Sequence, residues 1–335
     1  MTEPVIIIAD WDADGVVSAA MILYSQSYLG IYPLRGKRSV ELKPATPRTL
    51  SEALRPRLEY GCPECVVFLD IPFTKYNYSI LKDFRRKCKE TRMIYVDHHL
   101  STIYHSQLLE KIMDEVIVGR SATVILIYQL LKSLGVKLTI RLDSFAQAVN
   151  FMERGAKAPP ELSNMVKLAS AISKALKAEH DLSLWERLIK WMASPLPFTT
   201  PPPLDKAIEK AKQLATEADK AIKDIAIDLA MSAQKIGYLR FVDARKITNV
   251  SATALASKIR HILKQPVALL ARKEKFEVLV IKAPRGLAAK IAGTIYSSGI
   301  AEDIGGHASL AVLKLKKDID LNTLLEILKR ASLRL

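Results

Sequence analysis

The chain has 335 residues, 49% of them hydrophobic and 25% charged, which is an ordinary globular composition with room for a large core and about two domains. Fifty Lys and Arg against 35 Asp and Glu leave a formal charge of +15, which points to a polyanionic partner, nucleic acid first. No apolar run approaches the length of a membrane span, and three cysteines are too few for a disulfide framework. The chain opens directly into a strand with no basic leader, so the expected location is cytoplasmic, without a membrane partner.

The first predicted element is a buried strand at Ile6–Ala9, a β-branched run that ends in Asp10-Trp11-Asp12-Ala13-Asp14-Gly15. Three carboxylates at alternate positions repel one another unless a cation neutralises them. Gly15 permits a tight turn, and Val16–Ser25 has helical apolar spacing. Val40–Lys43 reads as a short strand, Pro44–Pro47 as a turn and Thr49–Glu59 as a helix or loop. Cys62-Pro63-Glu64-Cys65 has the spacing of half a zinc knuckle, but Cys88 has no neighbour to complete it, so three reduced thiols are expected.

Cys65–Leu69 is a second buried strand, ending in Asp70, and Tyr78–Lys89 is a helix with a basic end. Arg92–Val96 is a third strand, ending in Asp97-His98-His99. Gly119-Arg120-Ser121-Ala122-Thr123 opens an apolar helix through Leu134. Ser121 or Thr123 can cap that helix, and its N–H groups with Arg120 favour an anion. Residues 141–192 read as entirely helical, with Trp185 and Trp191 in the core. Five prolines between Ser194 and Pro203 break the chain, and a long Ala- and Lys-rich helix follows over Leu204–Gln234.

The remainder predicts a strand at Gly237–Val242, a helix at Ala252–Leu263 and paired strands at Pro266–Arg272 and Glu277–Lys282. A helix at Leu287–Ser297, a last strand at Leu310–Leu315 and a closing helix complete it. Asp303-Ile304-Gly305-Gly306-His307-Ala308 reads either as a turn or as a phosphate site, because glycines admit a ligand closely and His307 can donate. The fold class is therefore α/β: a parallel-sheet metal-binding domain and a smaller α+β domain joined by a long helix. The expected division is 1–193, a linker and connecting helix over 194–236, and 237–335.

Parallel strands share a polarity, so Asp10, Asp12, Asp14, Asp70, Asp97, His98 and His99 are expected along one edge of the sheet. A single aspartate after a strand is commonly a helix cap; three such strand ends are hard to explain by capping.

The motifs Asp10–Gly15, Asp70, Asp97–His99 and Gly305–Ala308, in that order, resemble the DHH phosphoesterase superfamily, of the archaeal RecJ-like exonuclease and nanoRNase type. The resemblance covers essentially the whole chain. It implies a metal domain and a substrate domain facing each other across a cleft, and hydrolysis of phosphodiesters in single-stranded DNA or RNA or short oligonucleotides with Mn2+ (two ions, or Mg2+ in its place).

Carried over by residue, it makes Asp12, Asp14, Asp70 and His98 metal ligands, with Asp10 standing where relatives have histidine. Asp97 orients or bridges, and His99 supports it or contacts phosphate, so Asp97, His98 and His99 form the catalytic set. Gly305, Gly306 and His307 would hold the phosphate or terminal nucleotide, with Arg120, Ser121 and Arg285 as further substrate-binding candidates.

One departure stands out. The superfamily supplies a further aspartate after the Asp-His-His segment, and the corresponding stretch Val166–Leu176 has none, with Lys174 in its place. Asp143, Glu179 or Asp181 could substitute; otherwise one metal binds well and the second poorly. An impaired single-strand-binding subunit of a replication or repair complex, and a phosphoesterase for pAp or cyclic dinucleotides, are the alternatives.

Overall fold

A computed structural model describes residues 4–197, 199–273, 276–284 and 286–333. The chain forms two compact units, Met1–Lys212 and Gln213–Leu335.

In the first unit strands and helices alternate: β1 (Val5–Ala9), α1 (Ala13–Leu23), β2 (Val40–Pro44), α2 (Leu50–Tyr60), β3 (Cys65–Leu69), α3 (Lys75–Lys87) and β4 (Arg92–Asp97). Two short helices, α4 (Leu100–Tyr104) and α5 (Ser106–Leu109), lead to β5 (Glu115–Val118). The sheet order is β2-β1-β3-β4-β5, and every pairing is parallel. The edge strand β5 leaves no signal in the sequence, because four residues carry too little periodicity to register.

Both faces of the sheet are covered, as a parallel sheet requires. Val5, Ile7 and Ala9 of β1 pack with Val67, Leu69, Ile94 and Val96 on one face, while Ile6, Ile8, Val66, Phe68 and Tyr95 form a core on the other. The first face is closed by α1 together with α6 (Thr123–Ser133), α7 (Ile140–Arg154), α8 (Pro160–Glu179) and α9 (Leu182–Ala193). The stretch read as one continuous helical block is thus three helices. Gly155 ends α7 in the left-handed conformation, Pro159 precedes α8, and Asp181 caps α9 through its bond from Leu184 N at 3.0 Å. Trp185 is fully buried as expected, whereas Trp191 is half-buried beneath the Arg141 guanidinium.

Helix α10 (Asp205–Met231) runs from the first unit into the second. The second unit continues with β6 (Gln234–Ile236), β7 (Leu239–Asp243), α11 (Ala252–Leu263), β8 (Val267–Lys273), β9 (Phe276–Lys282), α12 (Leu287–Ser297), β10 (Ala301–His307), β11 (Leu310–Leu315) and α13 (Leu321–Leu333). Its sheet order is β10-β11-β9-β8-β7-β6, with only β7 and β8 parallel.

The cysteines are not three reduced thiols. Cys62 and Cys88 form a disulfide, with Cα atoms 5.5 Å apart, and Cys65 is buried as the remaining thiol. The bond ties the entry of β3 to the C-cap of α3, a proximity set by packing and invisible in spacing. Closing a loop across 26 positions contributes about 3.5 kcal/mol in the chain-entropy account. Denatured without reductant, the chain should expose one thiol to an aromatic disulfide reagent, and three after reduction. Three thiols without reductant would remove the bond, and reduction of the native protein should lower its melting temperature.

Candidate metal centre

The site lies where β1, β3 and β4 end. In the order β2-β1-β3-β4-β5 the connection after β1 runs one way, to β2, and that after β3 runs the other, to β4; the crevice between β1 and β3 at such a switch point is where open α/β sheets bind ligands. The aspartates of the first strand end and Asp70 flank that crevice. Asp70 takes a left-handed φ of 60°, so the chain turns sharply as β3 ends. Gly15 lets α1 start close against the loop, since a Cβ there would lie 2.6 Å from the Asp10 carbonyl oxygen. Trp185 Nε1 donates to that same carbonyl at 3.2 Å, anchoring the loop to α9.

Two groups of donors result, each with ligand atoms within 4.8 Å of one another: Asp70, His98 and His99, and Asp10, Asp12 and Asp70. Asp70 belongs to both. Carboxylate oxygens suit manganese or magnesium, and the two imidazoles of the first group favour a transition ion over magnesium. His98 Nε2 lies 3.4 Å from Asp70 Oδ1 and 3.7 Å from Asp14 Oδ2.

Asp14 and Asp97 lie outside both groups. Asp14 is fully buried, and its two oxygens accept from the backbone N–H of Thr123 at 2.9 Å and Val124 at 2.6 Å. It therefore caps α6 from across the fold. This corrects the reading of Ser121 or Thr123 as that cap: the N-cap residue is Ala122, with no side-chain cap. The acceptor at this helix start is thus internal, and Arg120 and Ser121 are exposed beside it. Thr123 donates instead through Oγ1 to Asp70 Oδ1 at 2.9 Å. Asp97, also fully buried, accepts from His99 Nδ1 at 2.7 Å, from the His99 backbone N–H at 3.3 Å and from Thr102 Oγ1.

The stretch assigned to the missing aspartate does reach the site, but through a different residue. Ser173 Oγ accepts from Ala13 N at 2.9 Å, and one turn later Lys177 Nζ donates to Asp12 Oδ2 at 2.9 Å. Lys174 is rotated away and lines a separate cleft with Lys167, Ser170 and Ile208. Positions 173 and 177 share a face at i, i+4, which periodicity alone could have revealed had the rotation of α8 been known. The other substitutes lie elsewhere: Glu179 pairs with Lys210 at 3.3 Å, Asp181 caps α9, and Asp143 bonds Tyr128.

Burial governs the electrostatics. It raises Asp10 to about 6, with Asp12 adding repulsion, and it pushes Asp14 and Asp70 well above the carboxylate range. Asp12 goes the other way, to about 2, because Lys177 outweighs its burial. Burial and the neighbouring His99 bring His98 down to about 4, leaving it neutral at pH 7 as a ligand must be. For His99 burial opposes charge, but Asp97 outweighs it and holds the imidazolium up to about 9.

In the second unit, Gly305, Gly306 and His307 lie in β10, opposite Val312, Ala311 and Leu310 of β11, so the glycine pair is strand rather than turn. Gly306 has φ of 92°, and a Cβ there would lie 2.1 Å from the Leu310 carbonyl oxygen, so hairpin packing alone demands glycine. Gly305 has open space where its side chain would be. Arg285 lies outside the described residues.

His99 keeps its proton in the folded chain to about pH 9, against 6.5 ordinarily, so its contribution to stability is present below pH 6.5 and lost as pH rises through 9. Metal-free protein should melt at progressively lower temperature across that window, and Asp97→Asn should flatten the slope. An unchanged slope in the variant would sever the link.

By sequence, no protein-family model and no curated protein matches the chain. Against solved structures it is similar over 99% of its length to RecJ of Thermus thermophilus in complex with Mn2+, at 14% identity and a TM-score of 0.59, covering 52% of that chain. The Mg2+ complex from the same organism aligns over 99% of this chain at 14% identity and a TM-score of 0.52, covering 50% of the other. An exonuclease RecJ bound to manganese gives 14% identity and a TM-score of 0.52, with 99% of this chain and 91% of that one covered. The chain thus spans about half the length of the Thermus RecJ chains. A likeness of full length at so low an identity is a likeness of fold, and the fold of this chain is that of RecJ.

Proposed function

We propose that the protein is a metal-dependent phosphodiesterase acting on single-stranded nucleic acid or short oligonucleotides. The observation that carries this is the meeting of Asp70, His98 and His99 where the buried strands β3 and β4 end, next to the sheet's switch point. The net charge of +15 favours a polyanion over a small nucleotide.

In this reading Asp70, His98 and His99 would hold a divalent ion, His99 releasing its Nε2 proton to solvent on binding while Nδ1–H stays on Asp97. Bound there, manganese or magnesium would supply Lewis acidity toward a phosphoryl oxygen and lower the pKa of the attacking water. Asp97 fixes the His99 ring, the carboxylate–histidine support that metal ligands commonly have. Thr123 orients Asp70 by donating to Oδ1, and neutral His98 presents a lone pair without first losing a proton. Asp14 serves by locking α6 against α1, which keeps Thr123 in place. Gly305, Gly306 and His307 are the second unit's candidates for phosphate binding.

The contact of Lys177 with Asp12 favours a second reading, a catalytically impaired subunit that binds single strands in a replication or repair complex. With Mn2+, the purified chain should release mononucleotides from end-labelled single strands, and the Asp70→Ala, His98→Ala double variant should lose more than about 100-fold in rate. Tight single-strand binding with no cleavage in any divalent metal would select the second reading. Preference for pAp or a cyclic dinucleotide in a substrate panel would select a small-nucleotide phosphoesterase.

Binding of a labelled single strand should weaken steeply as salt rises from about 50 to 200 mM, through counterion release. A flat response, measured by fluorescence anisotropy, would remove the polymer from the proposal.

A further inference from the structure

The two donor groups at the strand ends are chemically unlike. One joins a single carboxylate, Asp70, to two imidazoles, while the other is built of three carboxylates, Asp10, Asp12 and Asp70. A group of three clustered carboxylates has the greater need of positive charge, and in this chain a side chain already provides it. Lys177 Nζ lies 2.9 Å from Asp12 Oδ2, with Asp10 and Asp70 next in its electrostatic surroundings.

The rest of Asp12 is also committed. Its Oδ1 accepts from the backbone N–H of Asp14 at 2.9 Å and of Gly15 at 3.1 Å, which fixes it as the cap of α1. Its other oxygen, Oδ2, is the one the ammonium takes. Lys177 is placed there by the packing of α8: Ala169, Ile172, Ala175 and Leu176 are buried in the core, and Ser173, one turn earlier on the same face, is bonded to Ala13 N. The lysine is thus delivered by a helix whose rotation is fixed on both sides of it. A divalent ion entering this second group would have to displace the ammonium or sit beside it, and like charges so close repel strongly where carboxylates are sheltered from water.

We infer that Lys177 is a built-in cation standing where a second metal ion would sit, so that the centre takes one divalent ion, on Asp70, His98 and His99. The inference rests on the metal-centre reading above and narrows it. Lys177 satisfies Asp12 without a metal, and Asp70, which would otherwise be shared by two ions, serves one.

The test is the number of ions held by the full, metal-stripped chain. Titrated with MnCl2 and followed by electron paramagnetic resonance of free Mn2+, the wild type should bind one ion and give an uncoupled spectrum. Lys177→Met keeps the stem and removes the charge; it should bind a second ion and show exchange coupling, because Asp70 would then be shared. Lys177→Arg keeps the charge and should bind one. The Lys177 side chain is 56% exposed, so neither change removes core packing.

Two coupled ions in the wild type, or a single ion in Lys177→Met, overturns the inference and leaves the metal centre standing. No ion in the wild type overturns both, and loss of the single ion in the Asp70→Ala, His98→Ala variant locates it on the predicted group.

Discussion

Five aspartates converge on the rim of one parallel sheet, three of them withdrawn almost entirely from water, and the architecture around that rim is arranged to make this tolerable. Each carboxylate has its own compensation. Asp14 takes the buried N–H groups at the start of α6. Asp97 takes an imidazolium and a hydroxyl, and Asp12 takes the start of α1 and a lysine. Asp70 has a threonine hydroxyl and lies near His98. Asp10, with only partial compensation, titrates at about 6. Buried charge without a partner costs several kcal/mol, so the placement of α1, α6 and α8 follows in part from the anions they neutralise.

This gives the helices two duties. On the inner side they bury apolar surface against β1, β3 and β4, as any parallel sheet demands. At their ends they present N–H groups or a cation to the strand termini. Asp14 joins the two, since its bonds to Thr123 and Val124 tie the first and sixth helices across 109 and 110 positions. A fold that must gather acids at one edge gains a scaffold from gathering them.

Not every residue in the motif belongs to a donor group. Asp14 bonds the start of a helix and Asp97 a histidine ring. Gly306 is required by the hairpin it sits in, whatever else it does. A motif written as a string of letters merges ligand, cap and packing roles that the geometry separates.

The acid-terminated strands were legible from sequence because each is a continuous apolar run stopped by charge, a pattern set by local chemistry. Helical spacing likewise located α1, α6, α11 and α12 to within a few residues. What only tertiary structure decided is whatever depends on how elements are turned and which distant groups they meet. Composition could not tell Lys177 from Lys174, because the two face different sides of the helix and only packing fixes its rotation. The cap on α6 came from a residue more than a hundred positions away, and Cys88 found Cys62 because α3 returns beside the entry of β3. Sequence determined which residues bear charge and where strands end; the balance of burial against charge in the packed chain determined what each of those charges is bound to.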